Sequence, residues 1–317
     1  MHCAPKGPTT VTGSLSEALR SWPLFFEPVP PPVRTTRERA EERREAIARL
    51  IDAVPRVDAI DVPELIDENH EGRPRYRTDD PREFASAIAA RTGREAIVNK
   101  VVAHLANAGA VEAWARDTVA QGVRNVVLVG GTSRYIPYPG PPVAEADRIC
   151  RPFVEGAGGL LGNIAIPQRT GEAHRMLGKT RAGAAFFTTQ IVFDAEAVVR
   201  MIREYDRLCR QASLVASPVV LSFAPLSDEQ DVAFVRWLGA DLPDSAERAI
   251  LDGTNGEALA RSVARSLAVW DEIVRSSVAD SVEVPLGVNV EQVSSRLDAA
   301  GTLLRAFAEL LSATAPR

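Results

Sequence analysis

Eight short apolar runs, each followed by a segment of helical pattern, constrain this sequence more than any other feature. The runs cover residues 24–27, 57–62, 94–102, 125–129, 158–166, 184–190, 219–223 and 284–290. Helical spacing occupies 37–53, 81–92, 110–121, 143–155, 170–182, 195–213, 228–239, 243–252, 255–278 and 294–312, with a polar loop over about 70–80. Apolar runs without strict alternation are strands covered on both faces, and regular strand–helix alternation makes them parallel. Eight such units within 317 residues predict one closed (β/α)8 TIM barrel, with extra helices over 241–281 before the last strand serving as a lid or a contact surface. A doubly wound open sheet is the alternative, but no GxGxxG follows the first strand, so the usual dinucleotide turn is missing. The polar, Pro/Gly/Thr-rich residues 1–15 are expected to be a flexible tail ahead of a barrel domain over 16–317.

A parallel barrel collects its working side chains at the carboxyl ends of its strands. Those positions hold Glu27, Asp61, Lys100, Thr132, Asn163, Gln190, Ser222 and Asn289, with Glu291 one step beyond. Part of this set is expected to be structural. Glu27 lies between Phe26 and a proline run, where poor solvation raises a carboxyl pKa and equips it to donate a proton near neutrality. The plainer reading is a surface glutamate in a loop. Gln190 offers both donor and acceptor to a bound ring or carboxamide; capping a loop backbone is the competing reading. Tyr135 and Tyr138 either stack on a flat ring or only pack their loop.

The remaining composition excludes more than it proposes. A net charge of −5 gives no reason to expect nucleic acid or an anionic membrane as partner. No apolar run approaches the roughly 20 residues of a membrane span. The first residues lack the apolar core of a signal peptide, so a cytoplasmic protein is expected. Cys3, Cys150 and Cys209 are scattered without a CxxC, which suits a reducing compartment and no structural zinc. His2, His70, His104 and His174 lie too far apart to suggest a histidine-based metal site.

The run KTRAGAAFFTTQIVFD, from Lys179 to Asp194, joined with Phe26-Glu27-Pro28-Val29-Pro30-Pro31, resembles the methylenetetrahydrofolate reductase family. The resemblance implies a barrel of one-carbon metabolism and methionine biosynthesis that reduces 5,10-methylenetetrahydrofolate to 5-methyltetrahydrofolate. It implies Glu27 as general acid, Gln190 against folate and nicotinamide, and Lys179 in the flavin site. The sequence departs from the family mainly at the flavin positions. Gly130-Gly131-Thr132 stands where the family ends its fourth strand in Arg-Gly-Asp, and Val98-Asn99-Lys100-Val101 replaces Pro-His-Leu-Thr. Asp61-Val62-Pro63-Glu64 replaces a Thr-Tyr-Gly loop, and Ile166-Pro167-Gln168-Arg169-Thr170 replaces Tyr-Pro-Glu.

The acid and the amide are present, whereas most residues that hold FAD in the family are replaced. The expectation is a flavin-independent member to which NADH, or NADPH, gives its hydride directly. Folate is expected against Gln190, Thr132 and a carboxylate drawn from Asp61, Glu64 or Glu291. The nicotinamide cofactor is expected against Gln190, Lys179 and Asn163. Arg296 lies one step from an arginine that the family places after its eighth strand. The alternatives are an FAD-dependent reductase, a folate-binding barrel without turnover, a reductase fed by a deazaflavin or a partner subunit, and a metal-dependent hydrolase.

Overall fold

The computed structural model describes residues 14–69, 71–133, 135–253, 257–293 and 296–314. His2, Cys3, His70 and most of the expected tail fall outside them. The tail overlaps them at Ser14 and Leu15, where the fold has already begun: Leu15 is buried in a short helix, α1 (Leu15–Ala18).

The chain then alternates as its pattern predicts. β1 (Leu24–Glu27), α2 (Arg37–Asp52) and β2 (Ala59–Val62) come first. A small hairpin of β3 (Ile66–Glu68) and β4 (Pro74–Tyr76) stands where the sequence reads as polar loop. Three-residue strands, half-buried in β3 and exposed in β4, carry too little alternation to be seen beforehand. Next come α3 (Pro81–Thr92), β5 (Glu95–Val101), α4 (Ala108–Ala120), β6 (Asn125–Val129), α5 (Val143–Gly156), β7 (Leu161–Ala165), α6 (Glu172–Arg181), β8 (Phe186–Thr189) and α7 (Ala195–Gln211). β9 (Val219–Phe223), α8 (Glu229–Trp237), α9 (Asp244–Leu251), α10 (Ala258–Ala279), β10 (Leu286–Glu291) and α11 (Leu297–Thr314) complete the fold.

The eight long strands close in the order β1-β10-β9-β8-β7-β6-β5-β2, all parallel. It is the single-domain (β/α)8 TIM barrel that the alternation predicts. Side-chain oxygens set the helix starts: Thr36, Asp80, Asn107, Asp194 and Asp228 each accept from a backbone N–H of the first turn.

Three apolar clusters form among the described residues. The largest lies between the outer faces of the strands and the helix ring. A second fills the barrel itself: Phe25, Ala59, Ile97, Val127, Phe186 and Val220 meet there, with Leu15 and Leu19 of the α1 region joining them. Gly162 makes room inside, because a Cβ there would stand 2.6 Å from the Phe186 ring. The third cluster joins Ile191, Phe193 and Leu226 to Val235, Ala246 and Ile250. α8 and α9 therefore pack as a fixed cap beside the ends of β8 and β9, while α10 packs along α7 in the helix ring.

Candidate active site at the barrel mouth

Two-residue alternation decides which strand residues face the axis. Two positions beyond Phe25, Ala59, Ile97, Phe186 and Val220 come Glu27, Asp61, Asn99, Thr188 and Ser222. A polar layer thus lies directly on the apolar barrel core. Above it opens a cavity of about 570 Å³ whose wall includes Glu27, Asn99, Thr188, Gln190 and Glu291.

Three carboxyls gather on one side. Glu27 and Glu291 are register partners on β1 and β10, and each keeps part of its surface open to the cavity. Asp61 is completely buried on β2. Burial, then Glu291, then Asp61 push the Glu27 pKa well above the usual carboxylate range, and the Asn289 amide works against them. Asn289 Nδ2 donates to Glu27 Oε2 at 2.5 Å and lies 3.1 Å from Ser222 Oγ. Burial and Glu291 raise Asp61, opposed by the nearby Asn99 side chain. Burial raises Glu291 to about 7, opposed by the Ser222 hydroxyl. Neighbouring buried carboxyls oppose one another's ionisation, so all three are shifted toward the protonated form. The expected raised pKa of Glu27 is there, but its causes are burial and two acids rather than the proline run.

Cations occupy another part of the wall. Lys179, Arg169 and Arg175 all line the cavity. Lys179 Nζ donates to the Ile164 carbonyl at 2.7 Å, and burial lowers its pKa. The two arginines flank the buried Glu172, at 3.9 and 3.5 Å. The mouth therefore offers proton-holding acids and fixed positive charge to the same guest.

Several buried polar atoms here are unpartnered among the described residues. They include both Asp61 oxygens, Asn99 Oδ1, Thr188 Oγ1 and Asn289 Oδ1. Buried polar groups are nearly always hydrogen-bonded, so unmatched acceptors and a hydroxyl on an inward-facing layer point to a polar ligand.

The remaining expected residues divide. Gln190 is on the wall, but its Nε2 donates to the Leu238 carbonyl at 3.0 Å and its Oε1 accepts from Ile191 N at 2.9 Å. It is thus the loop-bracing amide of the plainer reading as well as a wall residue. Thr132 lines the mouth and donates to Glu68 Oε2 at 2.6 Å. Glu68 also accepts from Tyr138 at 2.8 Å and pairs with His104 at 2.7 Å. Tyr138 packs edge-on to His104 and so belongs to this knot, while Tyr135 is 80% exposed. Glu64 also lines the mouth but is held by Lys100 at 2.6 Å and by Val101 N.

Asn163 does not reach the mouth. It is fully buried on the outer face of β7 and donates to Asp147 Oδ1 at 3.0 Å, so it cannot contact a nicotinamide at this site. Lys100 points outward to Glu64 and the ring of Tyr76. Arg296 pairs with Asp228 at 2.9 Å beside α8's first turn, away from the cavity wall. The sequence reading missed Asn99, Thr188, Arg169 and Arg175. The two-residue phase set by Ile97 and Phe186 was the signal for the first two. The arginines lie in loop and helix, where no such phase exists. Among the described residues no group of three or more His, Cys, Asp or Glu is arranged to hold a metal ion.

No protein-family model and no curated protein matches the sequence. Solved structures do match in fold. One is an uncharacterized protein from Clostridium thermocellum that binds two copies of 5-methyl-5,6,7,8-tetrahydrofolic acid. The two chains are 21% identical with a TM-score of 0.77, over 93% of this chain and 98% of that one. A second, from a structural study of Aquifex aeolicus, is 12% identical with a TM-score of 0.51, over 94% of this chain and 99% of that one. At these identities the likeness is one of fold.

Proposed function

We propose that this barrel binds a reduced folate at its mouth and reduces 5,10-methylenetetrahydrofolate to 5-methyltetrahydrofolate, with NADH or NADPH giving the hydride directly. The observation that carries the reading is Glu27: a carboxyl on the cavity wall, held by Asn289, whose pKa burial, Glu291 and Asp61 push well above the usual carboxylate range. The Lys179–Asp194 resemblance and the folate bound by the Clostridium thermocellum protein support it.

The chemistry asks for one proton and one hydride. Glu27 gives its proton to folate N10 as the bond from N10 to the methylene carbon breaks, leaving a CH2=N5 iminium cation. The carboxylate left on Glu27 stabilises that cation in a water-poor site. Hydride addition to the methylene carbon yields the methyl group and oxidised nicotinamide, and requires an approach of about 3–3.5 Å. Asn289 keeps the Glu27 carboxyl in place, and the unpaired Asn99 oxygen on the wall suits the donor edge of a pterin. Lys179, Arg169 and Arg175 supply charge for the phosphates of a dinucleotide.

FAD fits poorly at the end of β6. Tyr138 covers Gly131 so closely that a Cβ there would lie 2.2 Å from its ring, and Thr132 is tied to Glu68. The deciding experiment follows NADH and NADPH oxidation by the purified, spectrally colourless protein with 5,10-methylenetetrahydrofolate, and assays 5-methyltetrahydrofolate formed. Stoichiometric product without flavin is the expected result; turnover that depends on added FAD overturns the direct route. A second reading, folate binding without turnover, is favoured by the engagement of both ends of the Gln190 amide. It predicts tight 5-methyltetrahydrofolate binding with no oxidation of either nucleotide.

A further inference from the structure

Beside the mouth, and sharing the wall residue Leu65 with it, lies a second cleft of about 630 Å³. Val29 and Pro30, just past Glu27, and Gln292 and Val293, just past Glu291, form the side nearest the acids. Among the described residues its lining carries four guanidinium groups, Arg34, Arg43, Arg75 and Arg77, against a single carboxylate, Asp67. Arg77 already faces Asp67 at 3.7 Å and lies over the Trp237 ring. Arg43 braces the wall by donating to the Val29 carbonyl and to Gln292 Oε1. Arg34 and Arg75 are exposed on the rim.

An apolar floor under an arginine rim fits an amphipathic anion: an aromatic or aliphatic stem with carboxylates at its far end. Arginine pairs with carboxylates in a fork geometry that lysine cannot offer. We infer that this cleft binds the aminobenzoyl-glutamate end of a folate seated at the mouth, with Arg34 and Arg75 receiving the carboxylates of further γ-linked glutamates. This inference rests on the folate reading above and names the form of folate preferred. The stem passes Leu65 and lies on Val29 and Val293, and the negative chain runs out along the rim.

The test is equilibrium binding to the full chain of three probes: 6-methyltetrahydropterin, which has no tail, and 5-methyltetrahydrofolate as the mono- and the triglutamate. Triglutamate should bind roughly tenfold tighter than monoglutamate at low salt, an advantage that screening removes near 1 M salt. The variant Arg34→Ser/Arg75→Ser should abolish that advantage while tetrahydropterin binding changes less than about twofold. Both positions are exposed surface, so the fold should survive, and an unchanged melting temperature checks it. Equal binding of the two folates by the unaltered protein, or equal loss of all three probes in the variant, overturns the inference. Failure of every pterin to bind overturns the folate reading itself, and this inference with it.

Discussion

Asn289 Nδ2 stands 2.5 Å from Glu27 Oε2, across the contact between the last and the first strands of the barrel. The amide donates to whichever form of the carboxyl is present, but it favours the ionised one. It therefore trims a pKa that burial, Glu291 and Asp61 drive upward. Asn289→Ala should release that restraint, so the alkaline limb of the turnover–pH profile moves to higher pH while turnover falls as Glu27 loses its orientation. A profile unchanged in position would remove Asn289 as a positioning residue.

Glu27→Gln keeps shape and loses the transferable proton. Loss of a general acid should lower turnover by roughly 10²–10⁴-fold. Folate binding, measured by titration, should persist, and the melting temperature should hold or rise because a buried acid has gone. Activity within about twofold of the unaltered protein would sink Glu27 as the proton donor.

The acid cluster makes stability fall as pH rises. The folded pKa of Glu291 is raised from 4.5 to about 7, so the folded state holds a proton that the unfolded chain has given up over that interval. Its stabilising contribution is complete below about 4.5 and is lost as pH rises through about 7; Glu27 and Asp61, raised in the same direction, act in the same sense. Denaturant melts between about pH 5 and 8 should show this decline, and Glu291→Gln should flatten it. A slope equal in both proteins would mean that the protons sit elsewhere.

Gly131 and Tyr138 make a packing pair. A methyl on Gly131 meets the tyrosine ring at 2.2 Å, so Gly131→Ala should cost about 1–3 kcal/mol in a denaturation series. Tyr138→Ala should relieve part of that cost in the double variant, although it also removes the ring's bond to Glu68. Strict additivity of the two substitutions would contradict the packing.

Asn163 and Asp147 answer to stability alone. Burial raises Asp147 to about 6, and Asn163 holds it at 3.0 Å. Asn163→Leu leaves a buried carboxyl oxygen without its donor and should destabilise the protein by about 1–3 kcal/mol. Folate and nucleotide affinities should stay within about twofold; a selective loss of nucleotide binding would return Asn163 to the site.

The fold was legible because each strand announces itself as an apolar run and each helix by its spacing, and eight repeats admit few closures. Strand ends were legible only to within a residue, and at a barrel mouth one residue is the difference between inside and outside. Asn99 and Lys100 are neighbours, yet the first faces the cavity and the second pairs with Glu64 behind the strand. Asn163 failed the same way, whereas Glu27 and Asp61 lie two places beyond the interior residues Phe25 and Ala59. Arg169, Arg175 and the Glu68 knot come from a loop, a helix and a short hairpin outside the barrel strands, and only the folded chain brings the arginines and the knot's Thr132 to the cavity wall.

The Asn289–Glu27 bond spans 262 residues of chain, and it crosses the seam at which the cylinder shuts. The proton-holding acids are thus assembled from the opening and closing strands and exist together only after β10 docks. A chain still emerging from synthesis, or cut before that strand, has Glu27 in open water with an ordinary acidity. Topology by itself then couples assembly of the acid cluster to completed folding.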